Sequence, residues 1–321
     1  MLRYEPLPPP LATHALTSSR SQCSRIAQRR KRLVSLAPHL LALAGAVSSA
    51  LATVLIRQGL RHGNFYVGFW INVVVGVVGL WGAVLILEPA EAYRANAIPL
   101  FMLSGIIGTA GGRLLRFVSI EKVGAPVAAS IINLNPFIAT GLAIPVFGEQ
   151  VTLPIVAGTG VIVLGTTLLS LSGRRVGFQP PHLFYPFLSA SCFGAVAIIR
   201  KLGLAHAGPL FGSAVNITTA LVTFTAFLLA SGNRQVLLWR GRGLFYFVGA
   251  GVAENLSVFL VLVALGLGEV SVVTPLAGTA PLFVLPFTSL FLRGVEQLTG
   301  RIVAGAILIV LGVFLLTLKG A

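Results

Sequence analysis

The 321-residue chain is 56% hydrophobic and 10% charged, where an ordinary soluble domain carries roughly 25% charged residues, and its mean hydropathy is +0.93. A soluble enzyme, a disordered scaffold and a disulfide-stapled secreted module are excluded, and a polytopic membrane protein remains. The 23 basic residues face 8 acids, all of them Glu, for a net charge of +15, which reads as basic loops and a basic tail against anionic lipid rather than a nucleic-acid surface.

In chain order, residues 1–35 lack apolar periodicity, are rich in Pro and then Ser, and close on Arg29-Arg30-Lys31-Arg32. A disordered basic tail is expected there. A bilayer-spanning helix needs about 20 mainly apolar residues. The pattern predicts ten such helices, at 36–56, 67–87, 98–119, 125–146, 151–172, 183–202, 209–230, 244–266, 270–292 and 299–318. The longest polar connection is 231–243. The first run, followed by Ala50-Leu51-Ala52, also fits a cleavable signal peptide, but the internal repeat argues that it is retained.

That repeat is the strongest signal. Residues 149–171, EQVTLPIVAGTGVIVLGTTLLSL, match 296–318, EQLTGRIVAGAILIVLGVFLLTL, at 14 of 23 positions without a gap. Gly59, Leu60, His62, Gly68 and Asn72 recur as Gly203, Leu204, His206, Gly212 and Asn216, 144 residues on. The first helix pairs with the sixth and the fifth with the tenth. The expected fold is all-α, ten transmembrane helices as two five-helix repeats, 36–172 and 183–318. Because five is odd, the second repeat enters the membrane from the opposite side, an inverted repeat.

Five-plus-five helices with the segments TPLAGTAPLFVLPFTSLFLRGVEQLTGRIVAGAILIVLGVFLL at 274–316 and APVAASIINLNPFIATGLAIPVFGEQVTLPIVAGTGVIVLG at 125–165 resemble the EamA family of the drug/metabolite transporter superfamily. The resemblance implies a secondary transporter, of exporter type, moving a small metabolite by alternating access through a cavity between the repeats. Proton coupling is compatible with it. Alternatives are a flippase for a lipid-linked substrate and a non-transporting membrane sensor. Partners expected are a small-molecule substrate and membrane lipids, with a homodimer left open and no nucleic acid. The setting is a cell membrane, the bacterial inner membrane first. An enzyme is disfavoured, since no HExxH, GxSxG or paired carboxylates occur.

Ionisable residues inside a bilayer are costly and mark function. Glu254 sits eleventh in its span, near the middle. Arg113 lies roughly 6 Å past the centre of the third helix at 1.5 Å per residue. Arg cannot release its proton, so Arg113 needs Glu254 or an anionic substrate as partner. Arg116, one turn on, reads as a snorkelling anchor. The fourth and ninth helices carry Asn133, Asn135, Pro136, Thr279, Pro275 and Pro281. Pro136 and Pro281 are repeat equivalents expected to kink helices that line the cavity. Asn72, Asn216 and Asn255 complete the candidate polar lining, with helix ties as the competing role. Gly105, Gly108 and Gly112 give the third helix a small-residue face. No histidine or cysteine spacing holds a metal, no cofactor is expected, and Cys23 and Cys192 are not expected to pair. The basic cluster before the first helix argues for a cytoplasmic N-terminus, although the loop charges counted beyond it favour the opposite side.

Overall fold

The computed structural model describes residues 36–56, 58–87, 95–123, 131–170, 180–233, 236, 241, 243–291 and 300–317. The chain divides into two compact units, Met1–Ala37 and Pro38–Ala321. The tail predicted at 1–35, the start of the fourth span at 125–130 and Glu296 lie outside the described residues.

Among the described residues the protein is helical, without a strand. Helix α1 covers Leu36–Ile56 and α2 Phe65–Leu87. Helix α3 is assembled from Ile98–Ser104, Gly105–Gly112 and Arg113–Val123. Helices α4 and α5 cover Asn135–Phe147 and Leu153–Ser170. Then follow α6 Phe184–Leu204, α7 Pro209–Ala230 and α8 Leu244–Leu267. Helix α9 is broken into Val270–Ala277 and Ala280–Phe291, and α10 covers Gly300–Thr317. Among the described residues six helices (α1, α2, α3, α6, α7 and α8) are long and apolar enough to cross a membrane, and four shorter apolar helices accompany them. Large apolar side chains point outward: Ile86 is 82% exposed and Phe245 80%. In water such a surface would aggregate, whereas in lipid it is the solvated face.

Polar groups turn inward, where they tie helices. Ser257 Oγ donates to Gly45 O at 2.7 Å, joining α8 to α1. Ser189 Oγ donates to Gly112 O at 2.9 Å, joining α6 to α3. Ser189 lies 144 residues after Gly45, so the same tie recurs in both repeats with donor and acceptor exchanged. The repeated glycines have a parallel explanation. A Cβ at Gly59 or Gly68 would fall 2.5 and 2.6 Å from the Phe247 ring. A Cβ at Gly203 or Gly212 would fall 2.9 and 2.3 Å from Phe101. Each glycine pair forms a notch that receives a phenylalanine from the third helix of the other repeat.

Helices α5 and α10 approach backbone to backbone. A Cβ at Gly158 would lie 2.9 Å from Gly312 O, and one at Gly165 2.7 Å from Gly305 O. By the repeat alignment Gly158 corresponds to Gly305 and Gly165 to Gly312. Each helix therefore offers the same two glycines to the other, in opposite running directions, as in an isologous contact. Small residues permit this approach, which in lipid must stabilise by close packing.

Three sequence expectations change. The third helix is not α throughout, because Gly105–Gly112 is π-helical. The fourth and ninth helices are interrupted rather than kinked. Residues 131–132 are helical, Asn133 and Leu134 turn, and α4 restarts at Asn135 with Pro136 in its first turn. Gly278 and Thr279 likewise turn before Ala280, with Pro281 next. Proline is well tolerated in a first turn, where its missing N–H has no intrahelical acceptor. The prolines inside helices are Pro145, Pro275 and Pro286.

Gly165→Val is expected to lower thermal stability of the detergent-purified protein, by about 1–3 kcal/mol for an overpacked core. Gly165→Ala should cost less, because the intruding group is smaller. Unchanged melting in the valine variant would remove the backbone contact between α5 and α10 as a stabilising feature.

Candidate functional site

The centre of the molecule is built where α2, α3, α7 and α8 meet. Arg113 Nη2 lies 3.1 Å from Glu254 Oε1, and the two side chains keep 14% and 18% of their accessible surface. The guanidinium also sits over the Phe69 ring, 5.8 Å from its centroid. Arg113 belongs to the first repeat and Glu254 to the second, so the ion pair crosses between them. Each charge alone at membrane depth would cost at least ~2.5–3.5 kcal/mol on insertion scales. Together they satisfy one another while keeping limited access.

The π segment sets this geometry. Its wider turn advances the side chains less per residue than an α-helix, so Arg113 faces a different direction from that given by a continuous α-helical count. Glycines at 105, 108 and 112 let the wide turn press against neighbours. A Cβ at Gly105 would fall 2.6 Å from Asn216 O, and one at Gly108 2.8 Å from Val196.

The asparagines divide by role. Asn216 is buried; its Nδ2 donates to Ser104 Oγ, and its Oδ1 accepts from Thr109 Oγ1 at 2.9 Å. Asn255 Nδ2 donates to Asn72 O at 3.1 Å and to Gly251 O at 2.7 Å. Both amides are engaged in ties within the helical bundle, across α7–α3 and α8–α2. Asn72 is buried with its Oδ1 unpartnered among the described residues, as is Asn133 Nδ2. These two keep hydrogen-bonding capacity for something else.

The broken helices use their own side chains. Asn135 Nδ2 donates to Ile132 O at 2.9 Å and Thr279 Oγ1 to Leu276 O at 2.7 Å, each across its break. Thr279 has no accessible surface. The same Leu276 carbonyl also accepts the Thr279 N–H at 3.1 Å, so Thr279 closes the turn with both its backbone and its hydroxyl. A Cβ at Gly278 would come 3.8 Å from Pro136 Cγ, so the break in α9 lies beside the first turn of α4. Pro275 is buried inside the first segment of α9. The side chain of Pro281 lies outside the described residues.

A second ionic centre had gone unremarked in the sequence. Glu149, in the connection between α4 and α5, accepts from Lys201 Nζ at 2.8 Å. It also accepts from the backbone N–H of Val270 at 2.9 Å and of Ser271 at 3.1 Å. Lys201 also donates to Gly268 O at 3.0 Å. One carboxylate thus caps the start of α9 and binds α6. Burial works against its charge, but the Lys201 ammonium and the Val270 and Ser271 donors outweigh it and hold the carboxyl below the usual Glu range. The sequence offered a hint, since Glu149 opens the repeated EQ motif, but its partner lies 52 residues away.

Arg116, expected as a headgroup anchor, is exposed, and Glu254 and Arg113 lie within electrostatic reach of it. Among the described residues no cluster of metal-ligating groups occurs.

An apolar exterior, an interior of ties between two repeats and two largely enclosed ion pairs define an integral membrane protein with a polar heart, the construction of a membrane transporter. The EamA-like transporter family matches over residues 36–171 and 181–318, and the chain belongs to that family. A relative from Clostridium kluyveri, described as an uncharacterized transporter, is 26% identical over 137 residues, 42% of this chain. The match spans 44% of that relative's length, less than half of it. A protein of known crystal structure shares the fold with a TM-score of 0.69 at 17% identity, over 91% of this chain and 98% of that one.

The depressed Glu149 acidity sets the sign of a pH effect. Its contribution to stability is fully present above the ordinary value of 4.5 and is lost as pH falls through the lower folded value. Glu149→Gln should lower the melting temperature at pH 7, by roughly 1.5–3 kcal/mol for a charged hydrogen-bond acceptor. The gap from the unsubstituted protein should close on acidification below that range. A gap that persists or widens in acid would contradict the assignment.

Proposed function

We propose that the protein is a secondary transporter that exports a small metabolite by alternating access. In this reading ten spans form two inverted five-helix repeats in a cell membrane, the bacterial inner membrane, with the N-terminus in the cytoplasm. Small-molecule substrate and lipids are its partners. The observation that carries the proposal is the Arg113–Glu254 pair, which joins the repeats at membrane depth while both side chains stay partly accessible.

The antiparallel exchange of glycines between α5 and α10 supports the inverted arrangement. The latch of Lys201 and Glu149 supports a closure point at one end of the molecule. In the sequence the same basic and acidic positions recur as Arg57 and Glu296, 144 and 147 residues away. Two equivalent closure points are what alternating access requires.

Glu254 is the coupling group in this reading. Protonation of its carboxyl would release Arg113 and change the charge of the cavity. Glu254→Gln should keep substrate binding but abolish the pH dependence of flux in proteoliposomes with an imposed proton gradient. If the residue serves only as counter-ion, the same change should destabilise the protein by about 3 kcal/mol, the low end for a broken buried pair. Arg113→Gln/Glu254→Gln should then recover stability. Normal flux with normal pH response in Glu254→Gln would refute both roles.

A further inference from the structure

The two repeats treat one equivalent asparagine differently. A Cβ at Gly105 would meet Asn216 O and Thr219 Cβ, and one at Gly251 would meet Asn72 Cα and Val75 Cβ. With Phe101 matching Phe247, this register makes Ser104 and Ala250, Gly108 and Glu254, and Thr109 and Asn255 counterparts on α3 and α8. Ser104 and Thr109 satisfy both ends of the Asn216 amide. At Asn72 that arrangement is missing. Ala250 has no polar side-chain atom, and Asn255 Nδ2 turns to two backbone carbonyls, Asn72 O and Gly251 O. Asn72 Oδ1 is left without a partner among the described residues, in a residue only 4% exposed. An unsatisfied buried acceptor is costly enough to need a reason.

The reason stands one turn along α8. Glu254 follows Ala250 at i+4, on the same helix face. Helical side chains lean toward the N-terminus of their own helix. The Glu254 carboxyl therefore leans back over Ala250, the place that the Ser104 hydroxyl holds in the other repeat. Arg113 fixes the level from the side of α2: its guanidinium pairs with Glu254 and lies over Phe69, one turn before Asn72. An ionised carboxylate offers Asn72 Oδ1 only acceptors, whereas a protonated one gains an O–H donor. The other charges near Glu254 are few. From α3, Arg113 and Arg116 lie within electrostatic reach. Of the other helices packed against α8, α7 and the first segment of α9 carry no ionisable side chain, and α2 has only Tyr66. Helix α6 carries Tyr185, Cys192, Arg200 and Lys201, the last held by Glu149. Helix α1 has only His39, next to Pro38, which packs on Gly268 beyond the far end of α8.

We propose that Asn72 is the hydrogen-bond acceptor for protonated Glu254. While the carboxylate is ionised, Glu254 holds Arg113 and Asn72 Oδ1 stays unpartnered. When a proton from water joins Glu254, its O–H donates to Asn72 Oδ1 and the hold on Arg113 weakens. Asn72 is thus a positioning residue: it stabilises the acid form of a group whose ionised form is stabilised by a permanent cation. This inference deepens the coupling role given to Glu254 and rests on it.

Infrared difference spectroscopy of the full chain in lipid, followed through an acid titration, tests it without a substrate. The carboxylic-acid C=O band that disappears in Glu254→Gln belongs to Glu254. Asn72→Leu keeps the branching of the side chain and removes the acceptor. In that variant the band should move to higher frequency, as for an acid that has lost its hydrogen bond. Its titration midpoint should fall by about one pH unit, a tenfold loss of proton affinity, which is the size of one hydrogen bond. Asn72→Ala serves in its place if the leucine variant does not purify as a single species. Asn216→Leu removes two ties to α3; it should lower the melting temperature and leave band and midpoint unmoved. A band and midpoint unchanged at position 72, or moved as far by Asn216→Leu, would overturn the role of Asn72 and leave the coupling role of Glu254 standing. Absence of any Glu254 band down to the pH at which the protein unfolds would overturn both.

Discussion

Arg113 cannot give up its proton, and this constraint organises the centre of the molecule. A permanent cation at membrane depth must meet an anion, and the anion must come from a neighbouring helix held close. Glu254 supplies it from the other repeat. Keeping α3 near α8 and α2 then requires the surrounding packing to be tight and specific. The Gly-rich π segment, the amide ties of Asn216 and Asn255, and the Phe247 notch all serve that proximity. Removing bulk from α3 brings backbones within reach, and the polar ties fix the register once they are there.

The two repeats are interlocked rather than merely adjacent. Phe101 fills glycine notches of the second repeat, and Phe247 fills those of the first. Serine ties repeat the same exchange. In lipid no hydrophobic force drives helices together, since the tails are as apolar as leucine. Shape and hydrogen bonding must do it, which explains why the repeated positions are Gly, Asn and Ser rather than larger apolar residues. A third helix locked into the opposite repeat also makes any rocking of one repeat bear directly on the Arg113–Glu254 pair.

Much of this was legible in the sequence, and the reasons for the rest are specific. The two-repeat organisation was visible because Gly59, Gly68, Gly203 and Gly212 recur at one spacing, and the structure gives each a packing reason. The polarity of the interior was visible because Glu254 and Arg113 stand alone in apolar runs. The π segment was hidden, since GIIGTAGG has the small-residue pattern of an ordinary packed α-helix. The breaks at 133–134 and 278–279 were read as kinks because Pro136 and Pro281 were visible while the helix restart was not. Arg200 stands two residues from the end of the span expected at 183–202, whereas α6 runs on to Leu204. Glu149 was seen as a repeat signature and not as a latch, because its partners Lys201 and Val270 are remote in sequence.

The two ionic centres differ in what they permit. Glu149 is nearly buried and accepts three hydrogen bonds, from Lys201, the Val270 N–H and the Ser271 N–H. A carboxylate so engaged acts as a fastening between α6, α9 and the α4–α5 connection. Glu254 pairs with Arg113 and retains access. Its remaining oxygen capacity, the ring face of Phe69 beneath Arg113 and the nearby Arg116 give that centre room to exchange partners. Two of the fastening's donors belong to the first turn of α9 and the third to α6, so it ties the two helices through one carboxylate. An exchangeable pair can respond to a solute one contact at a time. The two centres are therefore separable in energy, and α6, which packs against α3 and carries Lys201, is one element that links them.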